Sequence, residues 1–134
     1  MKPKLFDASA ILTLIGDRPD EASDELEGAY ILDLTPYEVG NAIWKIHRLL
    51  HKADESTLLN AVDNAQSILS NMAVLPLGGL DEMTPIIKIE YDRSLTFYDS
   101  AYLHTAKKMS LTLMTEDERL LDAAAALKVK YSRI

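Results

Sequence analysis

The sequence predicts an α/β fold, a three-layer α/β/α sandwich around a mainly parallel sheet of four to five strands. Short apolar segments, typical of buried strands, alternate with longer amphipathic segments of helical spacing along all 134 residues. Strands that are separated by helices favour a parallel sheet with right-handed crossovers. The length is that of one ordinary domain, so we expect a single domain over residues 1–134.

The first predicted strand and helix meet at a carboxylate. Residues 4–6 form a short apolar strand that ends at Asp7, and residues 8–16 continue as an almost wholly apolar helix. A polar turn with Pro19 then leads into a short acidic helix that ends at Gly28. Asp7 therefore lies at the junction of the first strand and the first helix.

A second strand, residues 30–34, is followed by a clear helix start. Thr35 is a suitable N-cap, Pro36 suits the first helical position, and Glu38 places an acid in the first turn. Five apolar residues then recur at helical spacing, which predicts that this helix packs on the sheet. They are Val39, Ala42, Ile43, Ile46 and Leu50.

The remaining elements repeat this alternation. A polar break over residues 52–56 precedes an amphipathic helix whose apolar face is Leu58, Leu59, Val62, Ala65 and Leu69. The elements predicted after it are a strand over 72–77 interrupted by Pro76, helices over 81–91 and 98–109, a strand over 111–114, a helix over 116–127 and a last strand over 129–131. The chain thus predicts five strands, each followed or preceded by a helix.

Composition limits the classes of protein that fit. The formal net charge of −7 argues against a general nucleic-acid binder with a basic footprint. The absence of cysteine removes disulfides and thiolate zinc sites. No apolar run approaches the ~20 residues that span a bilayer, and the start has no secretory signal pattern. We therefore expect a cytoplasmic protein with no membrane association.

Four acids from separate segments are predicted to meet at one edge of the sheet. Asp7 ends the first strand, Glu38 opens the helix after the second, and Asp117 follows the strand over 111–114. Asp99 opens a helix that runs antiparallel to that strand, so it begins where the strands end. Sites in parallel α/β sheets lie outside the carboxyl ends of the strands. The sequence therefore predicts an acidic cluster at this edge.

Such a cluster is unfavourable unless a cation neutralises it, because neighbouring carboxylates raise one another's pKa. Oxygen ligands suit Mg²⁺ or Mn²⁺, and such an ion can activate water and stabilise charge on a phosphodiester. Each acid also has a simpler explanation. Glu38 with Thr35 matches a capping box, Asp7 suits a helix N-cap, and Asp99 and Asp117 suit first helical turns.

Four short motifs carry these acids. They are Leu5-Phe6-Asp7-Ala8-Ser9-Ala10-Ile11, Glu38-Val39-Gly40-Asn41-Ala42, Tyr98-Asp99-Ser100-Ala101-Tyr102-Leu103 and Thr115-Glu116-Asp117. In this order, and over nearly the whole chain, they resemble the four acidic motifs of PIN-domain ribonucleases. The resemblance is greatest to the small stand-alone VapC toxins of toxin–antitoxin pairs.

The resemblance implies Mg²⁺- or Mn²⁺-dependent hydrolysis of RNA that leaves a 5′-phosphate. It places four acids in the metal site, with hydroxyl supports beside two of them, and makes metal-bound water the nucleophile, held or deprotonated by Asp99 and Glu38. The acids are Asp7, Glu38, Asp99 and Asp117, and the supports are Ser9 and Thr115. Asn41, one helical turn beyond Glu38, either lines the pocket or is an ordinary polar helix residue.

Two other acidic α/β classes do not fit. A phospho-receiver domain needs an acceptor Asp after its third strand, where this chain has Leu77-Gly78-Gly79. A haloacid-dehalogenase-type phosphatase needs a second Asp two residues after its nucleophile, where Ser9 stands. The open alternatives are a PIN-fold RNA-processing nuclease and a weakly active PIN-fold scaffold.

The resemblance to a toxin also implies partners. We expect an RNA substrate and a cognate VapB-like antitoxin that covers or enters the acidic edge. We also expect a homodimer through helix faces such as that of residues 58–69.

Overall fold

The computed structural model describes residues 3–50 and 54–134, and its sheet is parallel throughout. The strand order in the described residues is β3-β2-β1-β4-β5. The strands are β1 (Lys4–Phe6), β2 (Tyr30–Leu32), β3 (Ala73–Leu75), β4 (Thr112–Met114) and β5 (Tyr131–Ser132). The predicted α/β class and the upper end of the predicted strand number are confirmed.

Helices connect the strands. They are α1 (Ala8–Asp17), α2 (Pro19–Leu26), α3 (Thr35–Leu50), α4 (Glu55–Leu69), α5 (Met83–Arg93), α6 (Phe97–Met109) and α7 (Glu118–Ala126). A 3₁₀ helix, Leu80–Glu82, leads directly into α5. None of the helices in the described ranges is long and apolar enough to cross a membrane.

The sheet separates two hydrophobic clusters. Successive side chains of a strand point to opposite faces, and Leu5 and Leu113 accordingly join a cluster with residues of α5, α6 and α7. Their neighbours Phe6 and Met114 join the other cluster, with residues of α1 to α4. The predicted three-layer α/β/α arrangement is therefore confirmed.

The central strand β1 sets the position of the site. It pairs with β2 on one side, through Leu5 and Tyr30, and with β4 on the other, where Phe6 lies opposite Met114. After β1, the chain adds β2 and β3 on one side of it, and then β4 and β5 on the other side. The topological switch point therefore lies between β1 and β4. The backbone N–H of Asp7 donates to the Met114 carbonyl over 3.1 Å, which brings the two strand ends together.

Several boundaries differ from the predicted ones for local reasons. β2 ends at Leu32 rather than at residue 34, because residues 33–34 form the turn into α3. β3 ends at Leu75, just before Pro76, which has no N–H to donate to a neighbouring strand. α4 begins after Asp54, whose carboxylate accepts from the Thr57 N–H over 2.8 Å. Residues 52 and 53, the first two of the predicted polar break over 52–56, lie outside the described residues.

The helix face predicted for dimerisation is used inside the chain. Leu58, Val62 and Leu69 pack against the cluster formed with α1 to α3, and Ala65 is buried within it. Most of this face of α4 thus packs inside the chain, although Leu59 is 51% exposed. A regular apolar stripe indicates burial but does not distinguish the chain's own core from a second copy, so the homodimer through this face stays a prediction.

Candidate active site

Asp7 is the buried anchor of the acidic edge. It lies between β1 and α1 and is only 5% exposed. One carboxylate oxygen, Oδ1, accepts from the Ala10 N–H over 2.9 Å and from the Ser9 hydroxyl over 2.7 Å. The other, Oδ2, accepts from the Thr115 hydroxyl. Asp7 is thus the N-cap of α1, and its carboxylate is also hydrogen-bonded to Thr115, in the loop after β4.

Ser9 and Thr115 join the ends of β1 and β4. The Ser9 hydroxyl oxygen accepts from the Glu116 N–H over 3.1 Å, and the Thr115 hydroxyl oxygen accepts from the Asp117 N–H over 3.1 Å. Each hydroxyl also donates to Asp7. The two predicted hydroxyl supports therefore both hold Asp7, and Thr115 additionally positions the backbone at Asp117.

Asp117 lies at the start of α7. Its side chain accepts from the Arg119 N–H over 2.9 Å, so Asp117 is itself the N-cap and the helix begins at Glu118 rather than at residue 116. The hydroxyl of Thr115, two residues earlier, donates to Asp7. One Oδ atom of Asp117 is taken by the cap.

Glu38 is held by a buried hydroxyl from another helix. Its Oε1 accepts from the Tyr102 hydroxyl over 2.8 Å. The Tyr102 oxygen lies 2.6 Å from the Thr35 Oγ1, which in turn accepts from the Leu32 N–H over 3.0 Å. Because Tyr102 has one hydroxyl proton and directs it at Glu38, Thr35 donates to Tyr102. The predicted capping box is wrong, since both its side chains are engaged in this chain of hydrogen bonds.

Tyr102 and Thr35 are the residues that sequence reasoning missed as part of the site. In the sequence, Tyr102 stands within the motif over residues 98–103 and Thr35 suits a helix N-cap. Both are almost completely buried. The available signal was the rule that a buried tyrosine hydroxyl finds a hydrogen-bond partner, and Glu38 is that partner here.

Asp99 lies in the first turn of α6, half-buried beside core residues. The helix N-cap is Thr96, whose hydroxyl oxygen accepts from the Asp99 N–H over 3.1 Å. Tyr102, Leu103 and Ala106 follow Asp99 at i+3, i+4 and i+7 on one helix face, and all three are buried. In the described part of the chain, none of the ion pairs involves Asp99 or the other three acids.

Burial and mutual repulsion raise the pKa of three of the acids. Burial raises the pKa of Asp7 despite its hydrogen bonds from Thr115, Ser9 and Ala10, and the charge of Asp117 adds to the increase. Burial likewise raises the pKa of Asp99, with further contributions from Asp117 and Asp7. The pKa of Glu38 is raised by burial and by the charges of Asp7 and Asp99, although the Tyr102 hydrogen bond opposes this.

The charges that contribute to these shifts link Asp7 to Glu38, Asp99 and Asp117, and Asp99 to Glu38 and Asp117. Their side chains are not, however, arranged as a closed ligand cage. Within residues 3–50 and 54–134, no three acidic or histidine side chains are placed to hold one ion. An all-oxygen donor set at partly exposed carboxylates still fits Mg²⁺ or Mn²⁺, because Mg²⁺ binds through one or two carboxylates and keeps several waters.

A cavity of about 420 Å³ adjoins Glu38. It is lined by Leu34, Tyr37, Glu38, Asn41 and Tyr98. Asn41 therefore lies in the wall of this cavity, one helical turn from Glu38, rather than on a remote part of α3. The cavity extends the acidic edge on the side where α3 and α6 begin.

The parallel α/β fold, with four acids at its switch point, can be compared with known protein families. Residues 4–126 match the family model described as the PIN domain. The chain belongs to the PIN-domain family, as its four motifs indicated. The family match spans every acid discussed above.

Two curated relatives come from Pyrobaculum aerophilum. Exonuclease VapC9 is 38% identical over 117 residues, which cover 87% of this chain and 82% of that protein. Ribonuclease VapC3 is 30% identical over 131 residues, which cover 92% of this chain and 95% of that protein. Both carry VapC names, in agreement with the subgroup that the motifs resemble.

Solved structures show the same fold. The crystal structure of PAE2754 from Pyrobaculum aerophilum matches with a TM-score of 0.78 and 34% identity, covering 97% of this chain and 83% of that chain. A toxin–antitoxin complex from Klebsiella pneumoniae matches with a TM-score of 0.61 and 21% identity, covering 85% of this chain and 86% of the matched chain. The second likeness supports the fold alone.

Proposed function

We propose that this protein is a divalent-metal-dependent endoribonuclease and acts as the toxin of a toxin–antitoxin pair. The observation that carries the proposal is the meeting of Asp7, Glu38, Asp99 and Asp117 at the switch point, where three of the four have a raised pKa. A fold without a ligand at this edge would be more stable without these charges. The relatives named as a ribonuclease and an exonuclease confirm the class of enzyme, a nuclease.

The proposed metal ligands are the four acids, with Ser9 and Thr115 as supports. When bound, Mg²⁺ or Mn²⁺ would polarise the phosphate and lower the pKa of a nearby water molecule. Asp7 is fixed by its three hydrogen-bond donors, so it offers an oriented carboxylate without rearrangement. Asp117 accepts its helix-cap hydrogen bond through Oδ1, so Oδ2 is the proposed ligand atom.

Glu38 and Asp99 are the proposed groups that hold the attacking water and take its proton. Glu38 Oε1 accepts from Tyr102, so Oε2 is the atom that would receive the proton. The raised pKa of Glu38 makes it a better base than an exposed glutamate. Tyr102 would act as a positioning residue, because it touches Glu38 rather than the RNA.

The first experiment is cleavage of a panel of structured RNAs with Mg²⁺, Mn²⁺ or EDTA. We expect cutting only with metal, and a loss of roughly 100-fold or more in Asp99→Asn. Asp63→Asn, at an exposed aspartate of α4, is the matched control and should cut like the wild type. Cutting that persists in EDTA, or in Asp99→Asn, would contradict the proposal.

The same assay decides between internal and terminal cutting, a question raised by the exonuclease name of one relative. A circular RNA has no ends, so an endoribonuclease cuts it and an exonuclease does not. We expect the circular and linear forms of one RNA to be cut at the same site. Cutting of the linear form alone would assign an exonuclease.

The toxin role and its partner form a separate part of the proposal. We propose that the antitoxin covers the acidic edge and directs an arginine at the carboxylates, since a paired arginine would relieve their repulsion. Induced expression should stop growth with the wild type and not with Asp99→Asn, and co-expression of the adjacent antitoxin gene should restore growth. Normal growth together with metal-dependent cutting would favour an RNA-processing nuclease. If no RNA is cut under any metal, a scaffold becomes the better interpretation.

A homodimer is a further part of the proposed assembly. Exposed apolar residues, such as Leu59, Leu80 and Ile87, are compatible with a second copy or with the antitoxin. Light scattering at micromolar concentration tests this directly, and a monomer mass would remove it.

A further inference from the structure

Two exposed tyrosines stand at the mouth of the cavity beside Glu38. Tyr37 is 82% exposed and Tyr98 is 56% exposed, yet both line the same cavity. Tyr37 comes from the first turn of α3 and Tyr98 from the first turn of α6. Neither ring contributes to the two hydrophobic clusters of the core. Folding alone therefore does not account for them.

Each tyrosine directly precedes an acid of the site. Tyr37 is followed by Glu38, and Tyr98 by Asp99. Successive residues of a helix lie about 100° apart, so each helix start can present its carboxylate to the sheet edge and its ring to the cavity. Phe97 contacts Tyr98 edge-to-face, with ring centroids 6.4 Å apart at 87°, and this contact restricts the orientation of the Tyr98 ring.

The exposed face of α3 continues away from the cavity with groups that suit a nucleic-acid strand. Residues at i, i+4, i+7, i+8 and i+11 share one helix face. Starting from Tyr37, these are Asn41, Trp44, Lys45 and Arg48, and all are exposed. In a chain of net charge −7, two cations and an indole on the face that leads from the cavity are a local departure from the acidic surface.

We propose that Tyr37 and Tyr98 bind one base of a single-stranded RNA by stacking, next to the phosphate that is cut. The strand continues along α3, with its phosphates near Lys45 and Arg48. Aromatic rings bind bases of unpaired RNA in this way, and cations follow the backbone. The cavity of about 420 Å³ lies in the size range of small-ligand sites, which suits a nucleoside. This inference rests on the proposed function and adds the part of the substrate that is recognised.

The experiment measures the binding of short fluorescein-labelled single-stranded RNAs in EDTA by anisotropy. One RNA is complete, and each of the others lacks the base at one position. Loss of one particular base should weaken binding to the wild type roughly tenfold. Tyr37→Ala and Tyr98→Ala should bind the complete RNA about as weakly, and removing that base should then have little further effect.

Conservative and distant variants separate stacking from general damage. Tyr37→Phe and Tyr98→Phe keep the rings and should bind like the wild type. Tyr91→Ala removes a tyrosine that is 86% exposed but does not line the cavity, so it should change nothing. With Mg²⁺, the alanine variants at the cavity should raise KM more than they lower kcat.

The outcomes distinguish this inference from the proposed function. If the RNA is cut with dependence on Asp99 but both alanine variants bind it like the wild type, stacking is excluded and the nuclease remains. The same holds if the penalty for the missing base is undiminished in those variants. If the wild type neither binds nor cuts any RNA, the proposed function and this inference fall together.

Discussion

The hydroxyl of Tyr102 donates to Glu38 Oε1 over 2.8 Å, from the second turn of α6 to the first turn of α3. Thr35 continues this chain of hydrogen bonds to the backbone at the end of β2. A carboxylate of the proposed site is thereby oriented by a fully buried core residue. The packing of α6 therefore affects how a carboxylate of the proposed site is oriented.

Removing only the Tyr102 hydroxyl should affect Glu38 more than the fold. The hydrogen bond lowers the pKa of Glu38, so Tyr102→Phe should raise that pKa further. If Glu38 acts as the base, the acidic limb of the pH–kcat profile moves to higher pH. We expect kcat near neutral pH to fall roughly tenfold, the low end of general-base effects, with KM little changed. Tyr91→Phe is the matched control, and an unshifted pH profile in Tyr102→Phe would remove Glu38 as the base.

Asp99→Asn should stabilise the metal-free protein at neutral pH. The pKa of Asp99 is raised in the folded state. The protonated carboxyl therefore stabilises the folded protein at pH values below the unfolded-state pKa, and this contribution to stability is lost as the pH rises through the folded-state pKa. The variant cannot ionise, so in EDTA its melting temperature at pH 7 should exceed that of the wild type. The difference should disappear when the pH falls below 3.8, the ordinary pKa of an aspartate.

Bound metal should make the wild type more stable than Asp99→Asn, the reverse of their order in EDTA. An ion that binds only the folded state at 100 times its Kd stabilises it by about 2.7 kcal/mol. Mn²⁺ should therefore raise the melting temperature of the wild type and raise that of Asp99→Asn much less. Equal increases in both proteins would show that Asp99 does not hold the ion.

Thr115→Val should destabilise the protein by about 1–3 kcal/mol, because it leaves Asp7 Oδ2 and the Asp117 N–H without their partners. Thr115 also lowers the pKa of Asp7, so its loss raises that pKa and penalises the charged form. The destabilisation should consequently be larger at pH 7 than in acid, where Asp7 is protonated. Urea unfolding at the two pH values measures this, with Thr105→Val on α6 as the control. An equal loss of stability at both pH values would show that Asp7 is not involved.

Ser100 and Thr35 should respond in opposite ways to loss of their hydroxyls. Both are fully buried, but the Ser100 Oγ has no hydrogen-bond partner among the described residues, whereas Thr35 Oγ1 bonds to Leu32 and Tyr102. Ser100→Ala should leave stability unchanged or raise it by up to about 1 kcal/mol, and Thr35→Val should lower it by about 1–3 kcal/mol. Chemical denaturation of both variants measures these changes in the free energy of unfolding. A large loss in Ser100→Ala would indicate a partner for that hydroxyl.

Local patterns were sufficient for the architecture. Alternation of apolar strands with amphipathic helices determines a parallel α/β sheet, because crossovers are right-handed and short. The same rule placed the acids at the carboxyl ends of the strands, and the motifs identified the family before any contact was known. The resemblance to the family also implied Ser9 and Thr115 as hydroxyl supports near Asp7 and Asp117.

Side-chain partners were decided by tertiary structure alone. Thr35 and Glu38 have the spacing of a capping box, but the packing of α6 on the sheet places the Tyr102 hydroxyl between them, and a buried hydroxyl must be satisfied. The apolar face of α4 was visible in the sequence, while its partner, the chain's own core, was not. The sequence by itself determined which elements form, because periodicity is local. It did not determine burial residue by residue, since Ile46 and Leu50, on the predicted apolar face of α3, are 48% and 58% exposed. Which residues are buried and which groups meet depends on contacts between segments far apart in the chain.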